Sequence, residues 1–152
     1  NYLATLSEQF RAEFADVPEI LKSGACLSTA VNRAHETHCF WVGDAPIYET
    51  QQRNGCYITR MISRPDALDE RSVTDWFGGT SPFELKQVQV SREAEIVTIT
   101  SDGAIHDAKM LNSAYEELGF THAVAEAVRE ESLRNPQADD VSLVAMIISS
   151  ER

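Results

Sequence analysis

At 152 residues the chain is long enough for one domain with one core, and its 43% apolar and 24% charged content is ordinary for a soluble globular protein. Lys and Arg total 13 against 24 Asp and Glu, a formal net charge of −11; this argues against a nucleic-acid binder, which needs a basic face, and suits a protein that holds cations. No run approaches the roughly 18 apolar residues that span a bilayer, so no membrane partner is expected, no signal-peptide pattern is present, and the three dispersed cysteines, Cys26, Cys39 and Cys56, point to a reduced, cytoplasmic setting rather than a disulfide framework or a Cys zinc site.

The chain opens on Asn1-Tyr2 and runs almost directly into a helical pattern, so it reads as part of a longer polypeptide. Leu3, Leu6, Phe10, Phe14 and Val17 follow three- and four-residue steps and predict an amphipathic helix from 2 to about 16, ended near Pro18. Strands are expected over Gly24–Asn32, His35–Val42, Ile47–Arg53 and Cys56–Ile62, the last two joined by Asn54-Gly55, the strongest short hairpin signal. His35 and His38 would point to opposite faces of a strand and suit surface positions, while Cys39 and Cys56 suit small core positions.

Residues 63–82 change character. Pro65, the acids Asp66, Asp69 and Glu70, Gly78-Gly79 and Pro82 describe a loop or irregular insert, with the acidic run solvated. Phe83–Val90 and Glu95–Thr100 read as a further pair of strands. Ala108–Leu118 reads as a helix stopped by Gly119, followed by a second helix to about Leu133, broken at Asn135-Pro136. Val141–Ile148 is a buried strand by composition. One helix, about six strands in antiparallel hairpins, two helices and a strand make an α+β fold, with helices on the faces of antiparallel sheet.

Acids recur at the ends of these strands. Asp102 follows the run Ile96–Thr100 through Ser101 and precedes Gly103; Asp44 follows Trp41-Val42-Gly43; Asp139 and Asp140 precede the strand that starts at Val141. Each suits a turn taken singly. Together they suit hard divalent cations, which take carboxylate oxygens and, as a pair about 3.5–4 Å apart, activate water for attack on phosphorus. His106, four residues after Asp102, is open to a general-acid role or to none, and Asp107 suits the cap of the helix that follows.

Five motifs, V-G-D-A-P-I-Y, C-Y-I-T-R, D-W-F-G-G, V-T-I-T-S-D-G-A-I-H-D and A-D-D-V-S-L-V-A-M, occur in an order and spacing that resembles the metal-dependent type 2C serine/threonine protein phosphatases of bacteria. The resemblance runs from about Gly24 to Ile148. It implies an antiparallel β-sandwich flanked by helices and hydrolysis of phosphoserine or phosphothreonine in a protein substrate, without a covalent phosphoenzyme. The cofactors it implies are two Mn²⁺ or Mg²⁺ ions, with a third possible. Asp102 is similar to the acid that binds the catalytic metal pair, Asp139 to its partner with Asp140 second in line, Asp44 to the acid of a third, weaker metal, and Gly103 to the glycine that turns the backbone there. The family's earlier Asp-Gly and upstream Arg have no counterpart in these 152 residues, and segment 63–82 is shorter than the family's flap. The expectation is therefore a single phosphatase-like domain that is the C-terminal part of the full one, with N-terminal strands missing, and that associates with the absent segment or forms a homodimer. The alternative reading is a catalytically inactive binding or regulatory module of the same fold.

Overall fold

A computed structural model describes residues 2–17, 25–33, 36–69, 72–77, 83–101, 108–134 and 142–148. The described elements are, in order, α1 (Tyr2–Glu13), β1 (Leu27–Arg33), β2 (Glu36–Val42), β3 (Ile47–Arg53), β4 (Cys56–Met61), β5 (Ala67–Asp69), β6 (Ser72–Val73), β7 (Lys86–Gln89), β8 (Ile96–Thr100), α2 (Ala108–Arg134) and β9 (Leu143–Ile147). They form two antiparallel sheets, ordered β1-β2-β7 and β4-β3-β8-β9, with β5 and β6 a separate short ribbon. The fold is the expected α+β antiparallel sandwich.

Strand periodicity sorts the core into two layers. On β3 and β8, Ile47 and Val97 point into the space between the sheets and bury there with Cys39 and Trp41 of β2 and with Val90 and Ala94. Tyr48 and Ile96, one residue out of phase, point the other way and pack with Leu111 and Tyr115 of α2. The Thr98 and Tyr115 hydroxyls lie 2.9 Å apart across that second layer, so the buried phenol is not left without a partner. Both faces of β3 are covered, and its first four residues, Ile47 to Thr50, are all buried.

One of those four is a carboxylate. Glu49 points into the inner layer, where Oε1 accepts from Arg60 Nε at 2.6 Å and Oε2 from the Ser91 amide at 2.9 Å. Arg60 keeps most of its side chain exposed while its guanidinium reaches the acid, so the buried charge is paired from the rim.

Local turn chemistry falls where the residues require it. Asn54 (φ 52°) and Gly55 (φ 83°) both take the left-handed conformation between β3 and β4, as a two-residue type I′ hairpin demands. Gly119 (φ 72°, ψ 169°) breaks the helical geometry at the expected stop and divides α2 into two helices across a kink.

Four expectations are corrected. Residues 83–90 and 95–100 do not pair with each other: β7 joins β2, while β8 joins β3 and β9. The turn between them crosses from sheet to sheet, with the Val90 amide bonded to Thr37 O and the Glu95 amide to Thr50 O. Segment 63–82 holds the β5–β6 ribbon rather than irregular structure alone. Cys56 is exposed because it directly follows the hairpin turn, beyond the covered part of the sheet. Along residues 2–17, Ser7 is buried while Leu6 and Val17 are exposed, so the covered stripe keeps Phe10 and Phe14 of the expected set but runs through Ser7 in place of Leu6.

Candidate metal-binding end of the sandwich

Antiparallel pairing collects several strand ends at one end of the molecule. β8 ends beside the start of β3, with the Thr100 amide donating to Pro46 O at 3.1 Å. It also ends beside the start of β9: the Ser101 amide donates to Ser142 O at 2.9 Å, and the Ser142 amide donates to Ser101 Oγ at 2.9 Å. The connection from β2 to β3, residues 43–46, passes from one sheet to the other at this same end.

That connection is tightly held. Gly43 has φ +96°, and a Cβ there would lie 2.4 Å from Cys26 Sγ and 3.0 Å from the Cys26 Cα. Only glycine meets both demands. The Cys26 thiol, just ahead of β1, donates to Asp44 Oδ1 at 2.9 Å, and Ser28 Oγ donates to Ala45 O at 2.9 Å. Asp44 is thus carried by a turn whose backbone is fixed on both sides.

Asp66 supplies the other half of the grip. Its amide donates to Gly43 O at 2.9 Å, and its carboxylate Oδ2 accepts from the Gly43 amide at 3.0 Å. The Lys86 ammonium, on the first residue of β7, donates to Oδ1. Asp66 is only 9% exposed, so it is not the solvated loop residue its sequence context suggests. A buried carboxylate is tolerable because both oxygens are partnered, one by a cation. Sequence reading missed this pair because Lys86 lies 20 positions away, and no local spacing connects a loop acid to a strand residue at that distance.

Of the expected site residues, Asp44 is described and sits at the end of the sandwich just outlined. Asp102, Gly103, His106, Asp139 and Asp140 lie outside the described residues, as do Asp107 and His35. His38 is a surface residue, with Nε2 3.4 Å from Glu36 Oε2 and Nδ1 3.1 Å from Gln87 Nε2. Among the described residues no three His, Cys, Asp or Glu side chains are grouped so as to hold a metal ion. Two features of the described part fit a hard cation nearby: the donor at the strand end is a carboxylate oxygen, and Thr100 Oγ1, 2% exposed on the last residue of β8, has no hydrogen-bond partner among the described residues.

No protein-family profile matches the chain, and no curated protein sequence does. Solved structures do match. "PppA, a key regulatory component of T6SS in Pseudomonas aeruginosa" superposes with a TM-score of 0.76 at 21% identity, over 96% of this chain and 66% of that one. The serine/threonine phosphatase Stp1 from Staphylococcus aureus gives 0.80 at 13% identity, over 97% of this chain and 65% of that one. The catalytic domain of the serine/threonine protein phosphatase PstP, in complex with two manganese ions, gives 0.69 at 16% identity, over 94% and 67%. The chain therefore spans about two thirds of the length of these structures, and it shares the fold of the type 2C bacterial serine/threonine phosphatases.

Proposed function

We propose that the chain forms one phosphatase-like domain of a metal-dependent serine/threonine protein phosphatase, acting on phosphoproteins in the cytoplasm. The observation that carries this reading is the meeting of the β2–β3 connection, the end of β8 and the start of β9 at one end of a sandwich whose fold is that of serine/threonine phosphatases. Asp102 follows the end of β8 through Ser101, and Asp139 and Asp140 lead in sequence to the start of β9. The paired serines Ser101 and Ser142 tie those two strand ends together.

In this reading Asp102 and Asp139 hold a Mn²⁺ or Mg²⁺ pair, with Asp140 second in line, Gly103 turning the backbone between strand and loop, and Asp44 holding a third, weaker ion. Bound there, the ions supply an activated water and offset the charge that develops on the phosphoryl oxygens. The chain's part is to orient: rigid strand ends fix where the carboxylates are offered, which is most of what phosphoryl transfer asks of a protein. Water attacks phosphorus, the bond from phosphorus to the seryl or threonyl oxygen breaks, and His106 is the candidate donor of the proton that the leaving oxygen takes.

The test is turnover of a phosphothreonine peptide by the chain with Mn²⁺ and with EDTA. Mn²⁺-dependent hydrolysis that is lost in Asp102→Ala is the expected result. A folded chain that binds Mn²⁺ but does not turn over is instead a binding module of this fold. Calorimetry that detects no Mn²⁺ binding at all removes the metal site and reduces the acids to turn residues.

A further inference from the structure

We propose that the buried Asp66–Lys86 pair is a positioning device that clamps the Gly43–Asp44 turn and so sets where the Asp44 carboxylate is offered to a divalent cation; this rests on the reading of Asp44 as a metal-holding acid. Asp66 grips Gly43 from both sides of one residue, its own amide on Gly43 O and its carboxylate on the Gly43 amide. Gly43 cannot shift toward Cys26 to escape, because Cys26 already occupies the space that a Cβ would take. Asp44 follows immediately, with Oδ1 accepting a hydrogen bond from the Cys26 thiol.

The division of labour between the two acids follows from their partners. Both Asp66 oxygens accept hydrogen bonds, one from an amide and one from an ammonium, and the residue is buried. A carboxylate in that state anchors backbone. Asp44 sits one residue along, outside this buried pair, on the connection that meets the end of β8. Lys86 belongs to β7 in register with Trp41, and the Trp41 indole N–H donates to Arg64 O at 3.0 Å. The segment that bears Asp66 is therefore pinned to the three-stranded sheet at two points, and through Gly43 it transmits that sheet's position to the turn.

The experiment uses the whole 152-residue chain with Asp44→Asn, Asp66→Ala, their combination, and the rescue variant Asp66→Asn with Lys86→Met, which keeps an acceptor for the Gly43 amide without the charge pair. Mn²⁺ affinity is read from the EPR signal of free Mn²⁺, and alkylation of each cysteine by iodoacetamide is followed by peptide mass spectrometry in the absence of metal. The expected result is that Asp66→Ala weakens the weakest-bound Mn²⁺ about tenfold, as loss of an outer-shell partner does, that the combination is no weaker than Asp44→Asn alone, and that the rescue variant recovers most of the loss. Cys26 should alkylate several-fold faster in Asp66→Ala, because the Gly43–Asp44 turn packed against its sulfur is released. Cys39, in the inner layer, should stay protected. If Asp44→Asn weakens Mn²⁺ while Asp66→Ala does not, or if their losses simply add, the positioning role is overturned and the metal reading stands. If Cys39 becomes reactive together with Cys26, Asp66 serves global stability only and the proposal is overturned. If Asp44→Asn leaves Mn²⁺ binding unchanged, the metal reading of Asp44 fails and takes the proposal with it.

Discussion

Gly43 carries two constraints that no other residue satisfies together. Its φ of +96° costs an L-residue roughly 1–2 kcal/mol, and a Cβ would collide with the side chain and backbone of Cys26. The two costs differ in origin and can be separated. Gly43→Ala should lower unfolding stability by about 3 kcal/mol or more, since strain and overpacking add. Adding Cys26→Gly removes the side-chain atoms that a new Cβ would meet, and should return part of that loss while leaving the backbone share. Urea midpoints of the two variants and of Cys26→Gly alone give the partition; full recovery in the double variant would show that φ costs nothing here. A second residue ties burial to pH. Burial, with a smaller push from the Glu49 carboxylate, raises the Cys39 thiol from its ordinary 9.0 to about 11. The native state then keeps a proton that the unfolded chain loses, so stability from this group is whole below pH 9.0 and falls as pH rises toward 11. At about 1.4 kcal/mol per pH unit the loss is about 2–3 kcal/mol in all. Cys39→Ala, compared with the parent by urea unfolding under reductant at several pH values in that window, should flatten the decline; parallel curves would assign it to other groups.

At the scale of elements, α2 offers a case where propensity and geometry oppose each other. Replacing glycine with alanine inside a helix is worth about 1 kcal/mol in favour of the helix. At Gly119, however, φ 72° and ψ 169° lie in a region open essentially to glycine, where another residue costs about 1–3 kcal/mol. A Cβ there would touch nothing within 4 Å, so backbone strain acts alone. Gly119→Ala should therefore destabilise by about 1–2 kcal/mol, measured by thermal unfolding; a raised melting temperature would mean that α2 straightens at no cost. The same glycine shows what the sequence makes legible. Asn54-Gly55, Gly119 and the run Ile96–Thr100 are local signals, each written in one to five adjacent residues, and each appears where it was expected. Pairing across distance is written nowhere locally. β7 and β8 follow one another in sequence yet enter different sheets, because the short turn between them spans the sandwich instead of folding back. Asp66 reads as a loop acid until Lys86 is beside it. The strand-end position of Gly43-Asp44 could be read from the sequence, but the clamp that holds that turn could not.

For the molecule as a whole, charge and edge chemistry pull in opposite directions. Among the described residues β9 is the outer strand of its sheet, and its five residues, Leu143 to Ile147, include no charge and no proline to block further pairing. Val144 is 68% exposed and Ile147 59%. Such an edge is a template for another strand, and an antiparallel meeting of two β9 strands around a twofold axis would cover both copies of Val144. The net charge of −11 per chain opposes that meeting. Repulsion of this kind is screened within about 10 Å at 0.1 M salt and more tightly above it. Association should therefore be weak at low salt and strengthen as salt rises, the reverse of what an ionic interface does. Val144→Lys should weaken it about 100-fold in Kd, since about 1.5 kcal/mol of apolar burial is lost from each of two copies. The substitution also discriminates between causes. It takes the chain from −11 to −10 (one positive charge added), which by charge alone would favour association. Sedimentation velocity of both proteins over a concentration series, in low and high salt, is the measurement. An unchanged monomer at every salt concentration, or an association that Val144→Lys leaves intact, would remove β9 as the contact.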